Sequence, residues 1–180
     1  FNMCCHFKGE AAPGNSPWSG GSSRDAGMLM GHAVEMLREH IKPGTEAAAN
    51  TINYTFANVG PEFPSVVPDN TTVWFVGRFN NTETMVDVME RIDNCAKGAA
   101  LATGTTVETE LVTAIHEHLP NAVLGQDVHD NFLALGPLPV TAEEQAFAKE
   151  MPKNAGHDPV GMVQAHLPPP QLDAQGPVEA

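Results

Sequence analysis

Positive charge is scarce in this 180-residue chain, where 9 Lys and Arg stand against 22 Asp and Glu, for a net charge of -13 and a pI near 4.8. No Lys/Arg cluster offers a local exception. Such a chain repels phosphate backbones and anionic lipid, so nucleic acid and membrane surfaces are excluded as partners. Long apolar runs are also missing, and no stretch reaches the ~20 residues that span a bilayer. Cysteine is limited to Cys4, Cys5 and Cys95, an odd count without metal-ligand spacing. Neighbouring cysteines in a strand point to opposite faces and do not pair, which predicts reduced thiols and a cytoplasmic location. The sequence has no Gly-rich phosphate loop after a strand, no G-x-S-x-G elbow and no H-E-x-x-H helix. Three Asn-x-Thr tripeptides begin at Asn53, Asn70 and Asn80, but no signal peptide precedes them. Phe1 already stands inside a strand-like alternation without a start methionine, which leads us to expect a piece of a longer protein.

Hydrophobic residues make up 42% of the chain, enough for the core of one ordinary domain. Phe1, Met3, Cys5 and Phe7 alternate with polar neighbours, the period of a strand with one buried face. Residues 9 to 21 are rich in Gly, Pro, Asn and Ser and predict a loop. Ser22 and Ser23 then open a helix with Ala26, Met30, Ala33, Leu37 and Ile41 at helical spacing, ended by Pro43 and Gly44. Ile52, Tyr54 and Phe56 mark a second strand and Val73, Phe75, Gly77 and Phe79 a third, expected to lie antiparallel. Thr82 and Glu83 open a second helix striped by Met85, Met89, Ile92, Ala96 and Ala99, with Gly104 past its end. Val107, Leu111 and Ile115 on one side, against Glu108 and Glu110, give a fourth strand.

The order strand, helix, strand, strand, helix, strand predicts an α+β, ferredoxin-like fold, a four-stranded antiparallel sheet with two helices on one face. This domain is expected over residues 1–118. A helical connector follows over 119–151, with helices near 124–135 and 141–150, the second opened by a capping box between Thr141 and Glu144. Six prolines among residues 152–180 predict a Pro-rich linker toward a catalytic domain absent from this chain.

Four features invite a chemical reading. His116-Glu117-His118 is read as strand residues with two imidazoles on one face and no third metal ligand near in sequence. Cys4 and His6 share a strand face, with Cys5 on the core side, and packing is the simpler account of them. Gly20-Gly21-Ser22 before a helix matches ordinary capping as well as anion binding. Arg78, near the end of the third strand on the face of Trp74 and Val76, is placed to grip a carboxylate through two parallel hydrogen bonds, although an idle surface arginine has the same spacing.

Several stretches together resemble one family: SPW at 16–18, SSRDAGMLMGHAVEMLREHI at 22–41, SVVPD at 65–69, VWFVGR at 73–78 and KGAALATGTTVETEL at 97–111. LPNAVL at 119–124 and TAEEQAFAKE at 141–150 agree in order. The resemblance is to the B-type p-aminobenzoyl-glutamate hydrolase group of aminoacylase and carboxypeptidase G type metallopeptidases. It implies a lid and dimerisation domain inserted in a zinc-dependent amidohydrolase that cleaves N-acyl or N-aroyl amino acids. Two zinc ions are implied in the parent catalytic domain, and neither cofactor nor catalytic residue in this chain. The implied partners are that catalytic domain, a second copy in a homodimer and a small-molecule amide. Family lids carry a His in the loop after the first strand and an Asn before V-V-P, both reaching the partner subunit's active site, and an Arg at the end of the third strand. Arg78 matches the last. The loop at 9–14 has no His, and Ser65 stands where the Asn would, so Arg78 and Ser65 are the implied substrate-binding positions. Whether the isolated chain is an enzyme stays open, and it is expected to be inactive. A non-catalytic ferredoxin-like oligomerisation or binding protein is the alternative.

Overall fold

The computed structural model describes residues 1–44 and 49–162. They form two compact units, divided after Leu119. The first runs β1 (Asn2–Lys8), β2 (Ala12–Pro13), α1 (Ser23–Arg38), β3 (Thr51–Asn58), β4 (Val66–Val67), β5 (Asn70–Arg78), α2 (Thr82–Thr103) and β6 (Thr106–Thr113). The main sheet has the order β3-β5-β1-β6, antiparallel throughout, and both helices pack on one face. This is the ferredoxin-like α+β arrangement expected from the sequence.

Period-two alternation sets the sheet's two faces. Met3, Cys5 and Phe7 of β1, Ile52 of β3 and Val73 and Phe75 of β5 point to the helices and are buried. They meet Met30, Val34 and Leu37 of α1 and Met85, Val88 and Ile92 of α2. Each such side chain contributes about 1.5–3 kcal/mol of transfer free energy, the main favourable term in folding. Gly27 and Gly31, one turn apart on α1, let the helix sit low on the sheet. A Cβ on Gly27 would stand 3.0 Å from both Phe56 Cε1 and Thr71 Cγ2, and one on Gly31 would stand 3.0 Å from Tyr54 Oη.

Several details differ from the sequence reading. α1 stops at Arg38, and Val34 rather than Ala33 takes the buried position. The loop after β1 contains β2 and a 3-10 turn, Pro17–Ser19, and β2 pairs with β4 in a small second sheet. Runs of two residues are too short to show a period. β6 ends at Thr113, so Ile115 and the His116-Glu117-His118 run lie beyond the strand, and Ile115 is exposed. β6 is an edge strand, which leaves even Leu111, on the helix side, 53% exposed.

In the second unit, α3 (Ala122–Leu135) starts at an Asn121 cap and α4 (Ala142–Asn154) at Thr141. The capping box is complete: Glu144 N donates to Thr141 Oγ1 at 3.2 Å and Thr141 N to Glu144 Oε2 at 2.8 Å. α4 continues through Pro152. Neither helix has a buried residue. Most of the Pro-rich segment, from 163 on, lies outside the described residues.

Candidate functional site

Arg78 is the last residue of β5, and alternation from buried Val73 and Phe75 sends its side chain to the face that carries no helix. Trp74 and Val76 share that face and are partly exposed. An open cavity of about 220 Å³ lies at this end of the sheet, lined by Asn2, Val76, Arg78, Ile115, His116 and Glu117 among others. The Arg78 guanidinium has no hydrogen bond or ion pair among the described residues. A planar fork with its donors unspent is suited to a carboxylate.

The other wall of the cavity is built by chain leaving β6. A helix N-terminus has backbone N–H groups without partners and a partial positive charge. Asn81 accepts from Thr84 N at 2.8 Å, and Glu117, 35 residues downstream, reaches back to the same turn. Glu117 Oε2 accepts from Thr82 N at 3.0 Å and also from the Thr82 hydroxyl, while His116 Nδ1 lies 2.9 Å from Thr82 Oγ1. The Thr82 hydroxyl is the largest cause that holds the Glu117 carboxyl below its ordinary value. Two members of the His-Glu-His run therefore clasp the exit chain to α2, with a geometry that local spacing rules do not reveal.

Ser65 lies at the far end of β5. Its carbonyl accepts from Gly14 N at 2.8 Å beside the β2–β4 pair, and its residue is exposed. A Cβ on Gly14 would fall 2.7 Å from Ser65 Oγ and 2.8 Å from its Cα, so glycine permits this approach. Behind it, buried Ser23 donates from its N–H to Pro68 O at 2.9 Å, and its hydroxyl lies 3.0 Å from both Pro68 O and Thr71 Oγ1. Arg24 Nε and a guanidinium NH2 donate to Val59 O at 3.1 and 2.9 Å. The loop is fixed at both flanks and presents Ser65 outward. The structure thus places the two sequence-derived positions at opposite ends of one strand.

The remaining candidates are occupied. His6 bridges Thr72 Oγ1 at 3.0 Å and Glu110 Oε2 at 3.2 Å on the open face. Cys5 is fully buried, and burial, the largest cause, pushes its thiol up to about 12, far from a nucleophile's range. Cys4 is half-buried, with its thiol also raised by burial and then by Glu110. Among the described residues no three His, Cys, Asp or Glu side chains converge on a metal position.

No protein-family model matches the chain. It is 35% identical over 146 residues, 81% of its length, to a B-type p-aminobenzoyl-glutamate hydrolase subunit of Escherichia coli (strain K12). The chain belongs to the B-type p-aminobenzoyl-glutamate hydrolase group. It spans 29% of that relative, less than a third. Among solved structures it is similar to an aminobenzoyl-glutamate utilization protein from Klebsiella pneumoniae, with a TM-score of 0.56, 20% identity and coverage of 76% of this chain and 33% of that one. A putative aminohydrolase from methicillin-resistant Staphylococcus aureus gives 0.57, 16% identity, and coverage of 74% and 35%. These likenesses are likenesses of fold. With the closer relative in sequence they make the chain a hydrolase-related domain. No helix among the described residues is long and apolar enough to cross a membrane.

Proposed function

We propose that this chain is the lid and dimerisation module of a zinc-dependent amidohydrolase that cleaves N-acyl or N-aroyl amino acids such as p-aminobenzoyl-glutamate. The observation that carries the reading is Arg78: a guanidinium without a partner among the described residues, on the open end of the sheet, in a chain related to a hydrolase that acts on a glutamate conjugate. In this reading Arg78 anchors the substrate carboxylate and Ser65 contacts substrate at a different site. Residues 1–118 form the lid, 119–151 the connector and 152–180 a linker to the catalytic domain. The absence of any buried residue in α3 or α4 supports a connector whose packing surface belongs to that further domain. Free thiols support a cytoplasmic location.

The described residues do not fit a zinc pair, because His6 and His116 are engaged by threonine hydroxyls and no third ligand joins either. The two ions of the reading belong to the catalytic domain, where bound zinc polarises the amide oxygen and activates water. The work of this chain is to hold the carboxylate, close over the substrate and bring two subunits together.

The second reading, a non-catalytic ferredoxin-like oligomerisation or binding protein, draws on the loop at 9–14 without His and on Ser65 in place of Asn. Metal analysis and an amidase assay on the chain extended at both ends separate the two. The lid reading expects about two zinc per extended subunit with hydrolysis of p-aminobenzoyl-glutamate, and neither zinc nor hydrolysis with the 180-residue chain. An extended protein that binds no zinc and cleaves no amide supports the second reading.

A further inference from the structure

The sheet has two free edges, β3 and β6, and they differ in charge. β6 carries Glu108 and Glu110, whereas β3, reading TINYTFAN, has no Asp, Glu, Lys, Arg or His. In a chain of net charge -13, β3 is the edge that approaches its own copy without like-charge repulsion. It also lacks the lysine or proline that commonly blunts an edge.

The groups that β3 offers follow from the ladder. Gly77 spends both backbone groups on Phe1: its N–H donates to Phe1 O at 3.0 Å, and its carbonyl accepts from Phe1 N at 2.8 Å. Ile52, opposite Gly77, is therefore in a non-bonded pair, and its N–H and C=O point away from β5 toward the free edge. With a period of two, Tyr54 and Phe56 do the same, up to the register shift between Phe56 and Asn58. The Ile52 carbonyl is already taken. Arg38 Nη1 donates to it, while the same guanidinium holds Glu35 through Nε at 2.7 Å and Nη2 at 3.2 Å. The Tyr54 hydroxyl bonds Glu35 as well, which ties the flank of α1 to the strand.

We propose that the Arg38–Glu35 clasp sets the register in which a second copy adds to β3, with the two-fold axis at Thr55. This rests on the dimer reading above. Two-fold antiparallel pairing matches outward residues with outward residues. Axes at Ile52, Asn53 or Tyr54 all bring a partner N–H onto the Ile52 carbonyl and displace Arg38. With the axis at Thr55, Tyr54 and Phe56 exchange bonds with the partner's Phe56 and the partner's Tyr54, and the clasp stays closed. An axis at Phe56 also spares the clasp but matches a single outward residue per strand. The Thr55 register further places two threonine side chains in a non-bonded pair, a favourable cross-strand contact.

Cysteine cross-linking of the full 180-residue chain, with Cys4→Ser in every variant, tests the register. In a non-bonded pair Cα atoms lie about 4.5 Å apart, within disulfide reach, so Thr55→Cys is expected to form covalent dimers about tenfold or more faster than Asn53→Cys. Arg38→Ala is expected to shrink that difference by opening the Asn53 register. Equal or faster cross-linking through Asn53→Cys, or a ratio unchanged by Arg38→Ala, overturns the proposal. A dimer by sedimentation in which neither cysteine cross-links overturns the register and leaves the dimer standing. Monomer at all concentrations overturns both.

Discussion

Ser65 and Arg78 stand at opposite ends of β5, a nine-residue strand that spans about 26 Å at ~3.3 Å per residue. That exceeds the reach of one small amide, so a single lid does not bring both to the same substrate molecule. If both positions serve substrate, they serve two sites. This matches the division that the family resemblance implies, in which the loop positions reach the partner subunit and the arginine does not.

The close seating of α1 gives a contrast between two glycines. Gly98 on α2 has nothing within 4 Å of a built Cβ, and Gly98→Ala is expected to stabilise the fold by about 0.5–1 kcal/mol through helix propensity. Gly27→Ala offers the same propensity gain but pushes a methyl against Phe56, Thr71 and Val73 at 3.0–3.3 Å, and is expected to destabilise by roughly 1–3 kcal/mol net. Urea denaturation of the two variants checks the signs. A stabilised Gly27→Ala would mean that α1 has room to rise from the sheet.

Long periodic elements were legible in the sequence, and short or non-local ones were not. Met3, Cys5 and Phe7 repeat often enough to fix a buried face, and Thr141 and Glu144 announce a cap within four residues. Glu117 capping Thr82 follows from no local pattern, because the two meet only once β6 has run the length of the sheet. The same holds for the buried Ser23–Thr71 contact, which joins a helix start to a strand 48 residues on. Arg78 could be placed on its face from alternation alone, whereas its lack of an ion pair among the described residues needed the surrounding surface.

The Glu117 clasp predicts a pH dependence. Its carboxyl is held below the ordinary value in the folded state, so it binds fewer protons there than in the unfolded chain. The stabilisation is therefore fully present above the ordinary carboxylate range near pH 4.5 and is lost as pH falls through the depressed folded value. Glu117→Gln is expected to lower Tm at neutral pH, with the gap to wild type closing on acidification below that range. A gap that stays constant with pH would show that the contact acts through shape and not through charge.

Cys5 offers a test of the core. Fully buried and with its thiol near 12, it is expected to resist maleimide at pH 8 until the chain unfolds, while half-buried Cys4 reacts in the native state. Mass spectrometry of native and urea-treated protein reads the order directly. Native labelling of Cys5 at a rate similar to that of Cys4 would show that β1 is not held under α1 and α2.

The function proposed for Arg78 makes the sharpest demand. A bidentate, charge-assisted contact to a substrate carboxylate is worth about 1.5–3 kcal/mol or somewhat more when desolvated, against under about 1 kcal/mol for an idle surface arginine. In the extended, active protein, Arg78→Ala is expected to lower kcat/KM for a carboxylate-bearing substrate by about tenfold to several hundredfold. Arg78→Lys is expected to recover little, because an ammonium lacks the planar fork. Stability should move by no more than about 0.5 kcal/mol, since the side chain has no hydrogen bond or ion pair among the described residues to lose. The deciding comparison uses a substrate whose carboxylate is replaced by a neutral amide. Wild type is expected to lose most of its activity on that analogue, and Arg78→Ala almost nothing further, because the mutant has already lost the contact. Equal losses in the two proteins would mean that Arg78 never touched the carboxylate, and the anchor role would fall with the reading built on it.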